Sequence, residues 1–119
     1  MTNKSYKSMM LTSIIIISIL FSCATTQEKQ SESKDANFYN IRGVDYGEKG
    51  QYDQAIANYN KAIEMAPEYA KAYSNRAIAY YFKKEYDKAW EDVRKAKNLG
   101  YQIPIKFLDD LRKASGRQN

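Results

Sequence analysis

One phrase is written twice in this chain, 34 residues apart: QYDQAI at 51–56 and EYDKAW at 85–90. When 36–69 is laid over 70–103, ten of the 34 positions are identical. They include Tyr39/Tyr73, Arg42/Arg76, Tyr46/Tyr80, Tyr52/Tyr86, Asp53/Asp87, Ala55/Ala89 and Ala62/Ala96. Other pairs keep their size, as Gly43/Ala77 and Val44/Ile78 do. A fixed period of this length means that one supersecondary unit is built twice and stacked, because neither copy can bury its apolar face alone. The matched positions fall at the spacing that gives a helix one buried face.

Each unit reads as two helices joined by a tight turn. Gly43 and Ala55 are small, so two antiparallel helices can approach closely there, and the tyrosines fill the gaps between them. Gly50 supplies the turn. Pro67 cannot continue a helix and biases Ala66 away from helical angles. This arrangement resembles the tetratricopeptide repeat. In the first unit Tyr39 stands where that family usually has Trp, Gly43 and Tyr46 follow, Ala55, Tyr59 and Ala62 mark the second helix, and Pro67 closes it. The second unit keeps Tyr73, Ala77, Tyr80, Ala89 and Ala96. It departs at Val93, where an aromatic is common, and at Tyr101, where Pro is expected. Gly100 is expected to end that helix and Pro104 to open the next, so the exit from the second unit is angled differently. The segment after Pro104 puts Phe107, Leu108 and Leu111 on one narrow apolar face, as a terminal capping helix would.

The expected fold is all-α: two tetratricopeptide helical hairpins (an α-α superhelix) and a C-terminal capping helix, after a lipoprotein signal peptide. The expected divisions are signal peptide 1–22, lipidated Cys23 and flexible tether 23–35, first repeat 36–69, second repeat 70–103, and capping helix with tail 104–119. Helices are expected near 37–49, 52–66, 70–83, 86–98 and 104–114.

The signal reading rests on Lys4 and Lys7 followed by an apolar stretch from Met9 to Phe21. That stretch is shorter than the ~20 residues a transmembrane helix needs. LFSC, Leu20 to Cys23, resembles the bacterial lipobox. The resemblance implies lipid (palmitate) on the Cys23 thiol and on the amine freed by cleavage. An ordinary signal peptide and an uncleaved membrane anchor stay open as other readings. Cys23 is the sole cysteine and cannot form an internal disulfide. The 24–36 stretch ATTQEKQSESKDA has no large apolar residue and reads as a disordered tether. The implied location is the bacterial cell envelope, lipid-anchored. Ala24 after the lipid-bearing Cys favours the outer membrane where there is one.

Cleavage before Cys23 would remove two lysines and leave 17 basic against 14 acidic residues, a net charge of +3. That is too little to argue for nucleic acid. Catalysis finds few candidates. The chain has no histidine, which removes the usual proton shuttle near neutral pH. Glu91–Asp92 and Asp109–Asp110 are adjacent in sequence and point different ways on a helix, so they read as solvated faces. No enzyme, cofactor or metal site is expected.

A binding module is the better reading. In the tetratricopeptide family the inner surface is lined by the first helix of each unit. That implies a partner groove of Asn37, Asn40, Val44, Gly47 and Glu48 with Lys71, Ser74, Asn75, Ile78, Tyr81 and Phe82. Such a groove suits an extended segment or an amphipathic helix of a protein partner. Coverage of Tyr81 and Phe82 by a neighbouring helix stays open. The repeats that clamp the C-terminal carboxylate of heat-shock chaperones use Lys, Asn and Arg from three units. Only Asn75 matches that set, with Asn40 and Val44 at the places of its Lys and Asn, so the clamp is not expected. Lys83, Lys84, Lys88, Arg94, Lys95 and Lys97 are interspersed with Glu85, Asp87, Glu91 and Asp92, an ordinary charged face with several i,i+4 pairs. Two hairpins and a cap make a marginal core. Self-association through the first hairpin, giving a homo-oligomer, or support from a partner is expected. The function implied is a membrane-anchored adaptor, or else an assembly subunit that uses the same surface for fixed oligomerisation.

Overall fold

The computed structural model describes residues 35–117. The expected signal segment, Cys23 and all of the tether but Asp35 lie outside the described residues. Within them the chain forms α1 (Ala36–Glu48), α2 (Tyr52–Met65), α3 (Ala70–Phe82), α4 (Tyr86–Asn98) and α5 (Ile105–Ser115). Helix α1 opens on Asp35, whose side chain accepts from the Phe38 N–H at 2.8 Å. That cap satisfies one of the free donors of the first turn. Pro104 stands just before α5 rather than inside it.

The turns that follow α1, α3 and α4 share one design. After α1 the Gln51 N–H donates to the Tyr46 carbonyl at 2.9 Å, and after α3 the Glu85 N–H donates to Tyr80 at 2.9 Å. After α4 the Tyr101 N–H donates to Ala96 at 3.0 Å. Each turn holds one residue in the left-handed region, at Gly50 (φ 73°), Lys84 (φ 62°) and Gly100 (φ 84°). These are Schellman-type ends, which reverse the chain within a few residues. Lys84 takes a conformation that glycine adopts without strain and an L-residue does not.

Helices α1 and α2 pack as one hairpin and α3 and α4 as the next; α2 packs on α3 between them, and α5 packs on α4. Close approach depends on small residues. Ala55, Ala62, Ala77, Ala89 and Ala96 are fully buried. At Gly43 the Tyr59 ring occupies the place a side chain would take: a Cβ there would lie 2.5 Å from Cε1. In the second hairpin the same two positions are Ala77 and Val93, both in the core.

Polar contacts fix the junction between hairpins. The Tyr73 hydroxyl donates to the Pro67 carbonyl at 2.9 Å. Arg76 grips Asp92 with two bonds, Nε to Oδ2 at 2.8 Å and Nη2 to Oδ1 at 2.7 Å, and reaches Asn60 Oδ1 through Nη1 at 2.6 Å. One guanidinium thus ties α3 to α4 and to α2. The expectation that Glu91–Asp92 is a solvated pair is corrected here, because Asp92 is only 3 % exposed. Burial pushes its carboxyl up, against the opposing pull of Arg76.

Leu111 is fully buried in the core with Val93, Ala96 and Ile103, and Phe107 and Leu108 pack beside it. The Trp90 indole N–H donates to Ser115 Oγ at 3.0 Å, and Arg117 pairs with Asp87 at 2.7 Å. By the 34-residue register Phe107 and Leu111 correspond to Tyr73 and Ala77. Helix α5 therefore turns toward α4 the face that α3 presents within its own hairpin.

Candidate partner-binding groove

An open cleft of about 420 Å³ lies among the first three helices. Helix α1 contributes Val44, Gly47 and Glu48, α2 contributes Tyr52 and Tyr59, and α3 contributes Asn75, Ile78, Ala79 and Phe82. Helical spacing explains the selection. Val44 and Glu48 are one turn apart on α1, and Asn75, Ile78, Ala79 and Phe82 recur at three and four residues on α3. The volume lies at the low end of the ~300–1,000 Å³ typical of ligand pockets.

Aromatic rings build one end of the cleft. Tyr52 and Phe82 stack with centroids 5.1 Å apart and planes within 6°. Offset pairs of this kind add about 0.5–1.5 kcal/mol beyond the area they bury. Phe82 is still 54 % exposed, so its other face is open. Farther in, burial and then the Glu48 carboxylate push the Tyr59 phenol up to about 12. Its hydroxyl therefore stays neutral at physiological pH.

The expected groove residues divide. Val44, Gly47, Glu48, Asn75, Ile78 and Phe82 come together in the cleft. Asn40 and Ser74 do not belong on its open surface, being each 2 % exposed. Asn40 instead accepts at Oδ1 from the Asn75 amide at 2.9 Å, which bridges α1 and α3. Asn37 accepts from the Tyr69 hydroxyl at 3.0 Å and lies away from the cleft lining, as does exposed Lys71. Tyr81 is half-buried. Its ring meets Phe107 edge-on at 5.7 Å, and Tyr86 and Phe82 are its other aromatic neighbours. So the neighbouring helix takes up Tyr81 but not Phe82. Tyr52, Tyr59 and Ala79 were not anticipated in the lining. The available signal was that Tyr59 is large where Gly43 is small, which pushes its ring through toward the inner surface.

Asn75, the single residue that matches the chaperone clamp, is bound to a neighbouring asparagine, and no Lys or Arg is among the described residues that line the cleft. Two residues of the lysine-rich stretch, Lys83 and Lys88, are ion-paired. Lys83 bridges Asp53 at 2.6 Å and Glu85 at 2.8 Å, and Glu85 also holds Lys88. These pairs run between the two hairpins, within the α3–α4 turn and at i,i+3 rather than at the expected i,i+4. Among the described residues no group of three or more His, Cys, Asp or Glu could hold a metal ion. No described helix is long and apolar enough to cross a membrane.

A family profile described as TPR repeat matches residues 43–83, from the Gly43–Tyr59 contact through α2 to the end of α3. The chain carries a tetratricopeptide repeat. The all-helical hairpin stack is the architecture expected of this repeat. Relatives agree. Over 73 residues the chain is 36% identical to tetratricopeptide repeat protein 36 homolog of Nematostella vectensis, spanning 61% of this chain and 40% of that protein. Over 58 residues it is 40% identical to an uncharacterized protein of Methanocaldococcus jannaschii, 49% of this chain and 67% of that one. Over 70 residues it is 31% identical to Hsp70-Hsp90 organizing protein 2 of Arabidopsis thaliana, 59% of this chain but 12% of the relative. The chain thus spans well under half of two of these relatives.

Proposed function

We propose that this chain is a membrane-tethered adaptor that holds a protein or peptide partner in the cleft among α1, α2 and α3. The observation that carries the reading is the cleft itself. Val44, Ile78 and the open face of Phe82 present apolar surface toward solvent on the inner helices of a tetratricopeptide stack. A concave apolar surface with a few polar groups at its edge is what an extended segment or amphipathic helix needs. The relatives named as organizing proteins for Hsp70 and Hsp90 support a role in bringing proteins together. The tether rests on sequence alone: LFSC at 20–23, the basic start and the polar stretch after Cys23. On this reading the protein is a bacterial lipoprotein of the cell envelope, and the folded repeats work close to a membrane surface without crossing it.

The test is a photo-crosslinking residue in place of Ile78 in intact cells, followed by mass spectrometry of the adducts. A discrete set of adducts with another protein, lost when Phe82→Ser is added, is the expected result. Adducts only with other copies of this chain would replace the adaptor by a self-assembling subunit. Tethering is checked separately. Cys23→Ser should move the protein from the membrane fraction to the soluble fraction, and unchanged membrane recovery would reject the lipid anchor.

A further inference from the structure

The cleft has a charge character that its apolar lining does not convey. Glu48 is its one charged lining residue, and no Lys or Arg takes part. The nearest lysine in sequence to Phe82 is Lys83, which is already held between Asp53 and Glu85. Asn75 gives one amide hydrogen to Asn40 at 2.9 Å, so part of its donor capacity is already spent on the α1–α3 bridge. Apolar surface, neutral hydroxyl and amide groups and one carboxylate together make a site whose lining carries negative charge alone. An anionic segment brought here would desolvate its charge with no opposite charge in the lining to offset it.

Resting on the cleft as the binding surface, we propose that its occupant is a large apolar side chain from a protein segment that also carries Lys or Arg within about one turn of that anchor. The apolar side chain seats against Val44, Ile78 and Phe82, and the basic group pairs with Glu48. Selectivity is then opposite in sign to that of a clamp for acidic C-termini. Exposure of Glu48 limits the strength of the pair, so charge chooses among partners while apolar contact supplies most of the affinity.

The experiment is panning of the full chain with a phage-displayed library of random twelve-residue peptides, read by sequencing, in parallel with the Glu48→Lys variant. Glu48 is exposed near the C-terminal end of α1, where a basic residue is favourable to the helix, so the variant should fold. The expected result is enrichment of Phe, Leu or Met flanked by Lys or Arg, with the flanking preference turned to Asp or Glu by Glu48→Lys. Glu48→Gln should weaken the enriched peptides by roughly 2–5-fold, the range of an exposed ion pair, and 0.5 M salt should shrink that difference. Phe82→Ser should weaken them by about tenfold or more, as loss of an aromatic anchor does. Apolar anchors enriched with acidic neighbours, or with neighbours indifferent to Glu48→Lys, would overturn the charge selectivity and leave the cleft reading standing. No enrichment, or enriched peptides indifferent to Phe82→Ser, would overturn both.

Discussion

Gly43 and Tyr59 can be exchanged for the solution the chain itself uses 34 residues later. A Cβ on Gly43 would lie 2.5, 2.7 and 3.0 Å from three atoms of the Tyr59 ring, against the ~3.5–4.0 Å of ordinary carbon contact. The ring is 4 % exposed, in a core with Ala55 and Ala79, and has little room to swing away. Overpacking of this kind costs ~1–3 kcal/mol, while replacing a mid-helix glycine by alanine returns about 1 kcal/mol. Gly43→Ala alone should therefore destabilise by about 0–2 kcal/mol, which lowers the melting temperature by roughly 4–8 °C per kcal/mol in a domain of this size. Tyr59→Val alone leaves a void and should cost about 2–4 kcal/mol. In the Tyr59→Val background the clash is gone, so adding Gly43→Ala should now stabilise by ~1 kcal/mol. The effect of the same substitution moves toward stabilisation with its partner, a coupling of about 1–3 kcal/mol. Urea unfolding of the four proteins, followed by circular dichroism at equal slope, measures it. If Gly43→Ala destabilises equally in both backgrounds, the close approach of α1 to α2 is not what the glycine is for.

Other perturbations follow from the same contacts. Lys84→Gly should stabilise by about 0.5–1 kcal/mol, read as a raised melting temperature, because the residue now bears left-handed angles that Gly50 carries freely in the first hairpin. Asp92→Ala should destabilise by ~3–5 kcal/mol in denaturant titration, since the Arg76 guanidinium would stay part-buried without its carboxylate; a loss under 1 kcal/mol would mean the pair is structurally idle. Tyr59 sets an alkaline dependence. Its folded pKa of about 12 lies above the usual 10, so its contribution is intact below pH 10 and is lost as pH rises through 12, up to about 2–3 kcal/mol. Tyr59→Phe should flatten the fall in stability over that window, measured as the difference in unfolding free energy between the two proteins. Tyr73→Phe should remove about 1 kcal/mol by leaving the Pro67 carbonyl without its hydroxyl donor.

The hairpins were legible because the period and the small residues are consequences of backbone approach. Ala55, Ala62, Ala89 and Ala96 have to be small wherever two helices touch, and such positions repeat whenever the unit does. The helix ends, too, were marked by residues with restricted or permissive backbones, such as Gly50 and Gly100. Lys84 gave no such signal, because the turn there is imposed by its neighbours on a residue with no preference for it. The cleft was only partly legible. A helix face tells which residues point inward but not which of them a neighbour then covers. Asn40 and Ser74 lie on the expected face and are both buried, Asn40 at its bond to Asn75 of α3; Phe107, from a helix outside the two repeats, covers Tyr81. Asp92 was misread because its partner Arg76 sits 16 positions away, a distance at which no helical spacing rule applies.

Helix α5 decides how a longer version of this protein could be made. Its apolar residues Phe107, Leu108 and Leu111 are already turned to α4, while Lys106 and Lys113 are exposed and Asp110 pairs with Lys106. A further helix placed behind it would meet those charges and one exposed apolar residue, Ile105, rather than a broad apolar seat. A copy of 70–103 inserted ahead of Pro104 would instead meet the surface of α4 that α5 now covers, and would offer α5 the same surface one unit later. The protein is thus open to lengthening at one internal joint, and each added unit would extend the inner surface by one more first helix while leaving the closing helix unchanged.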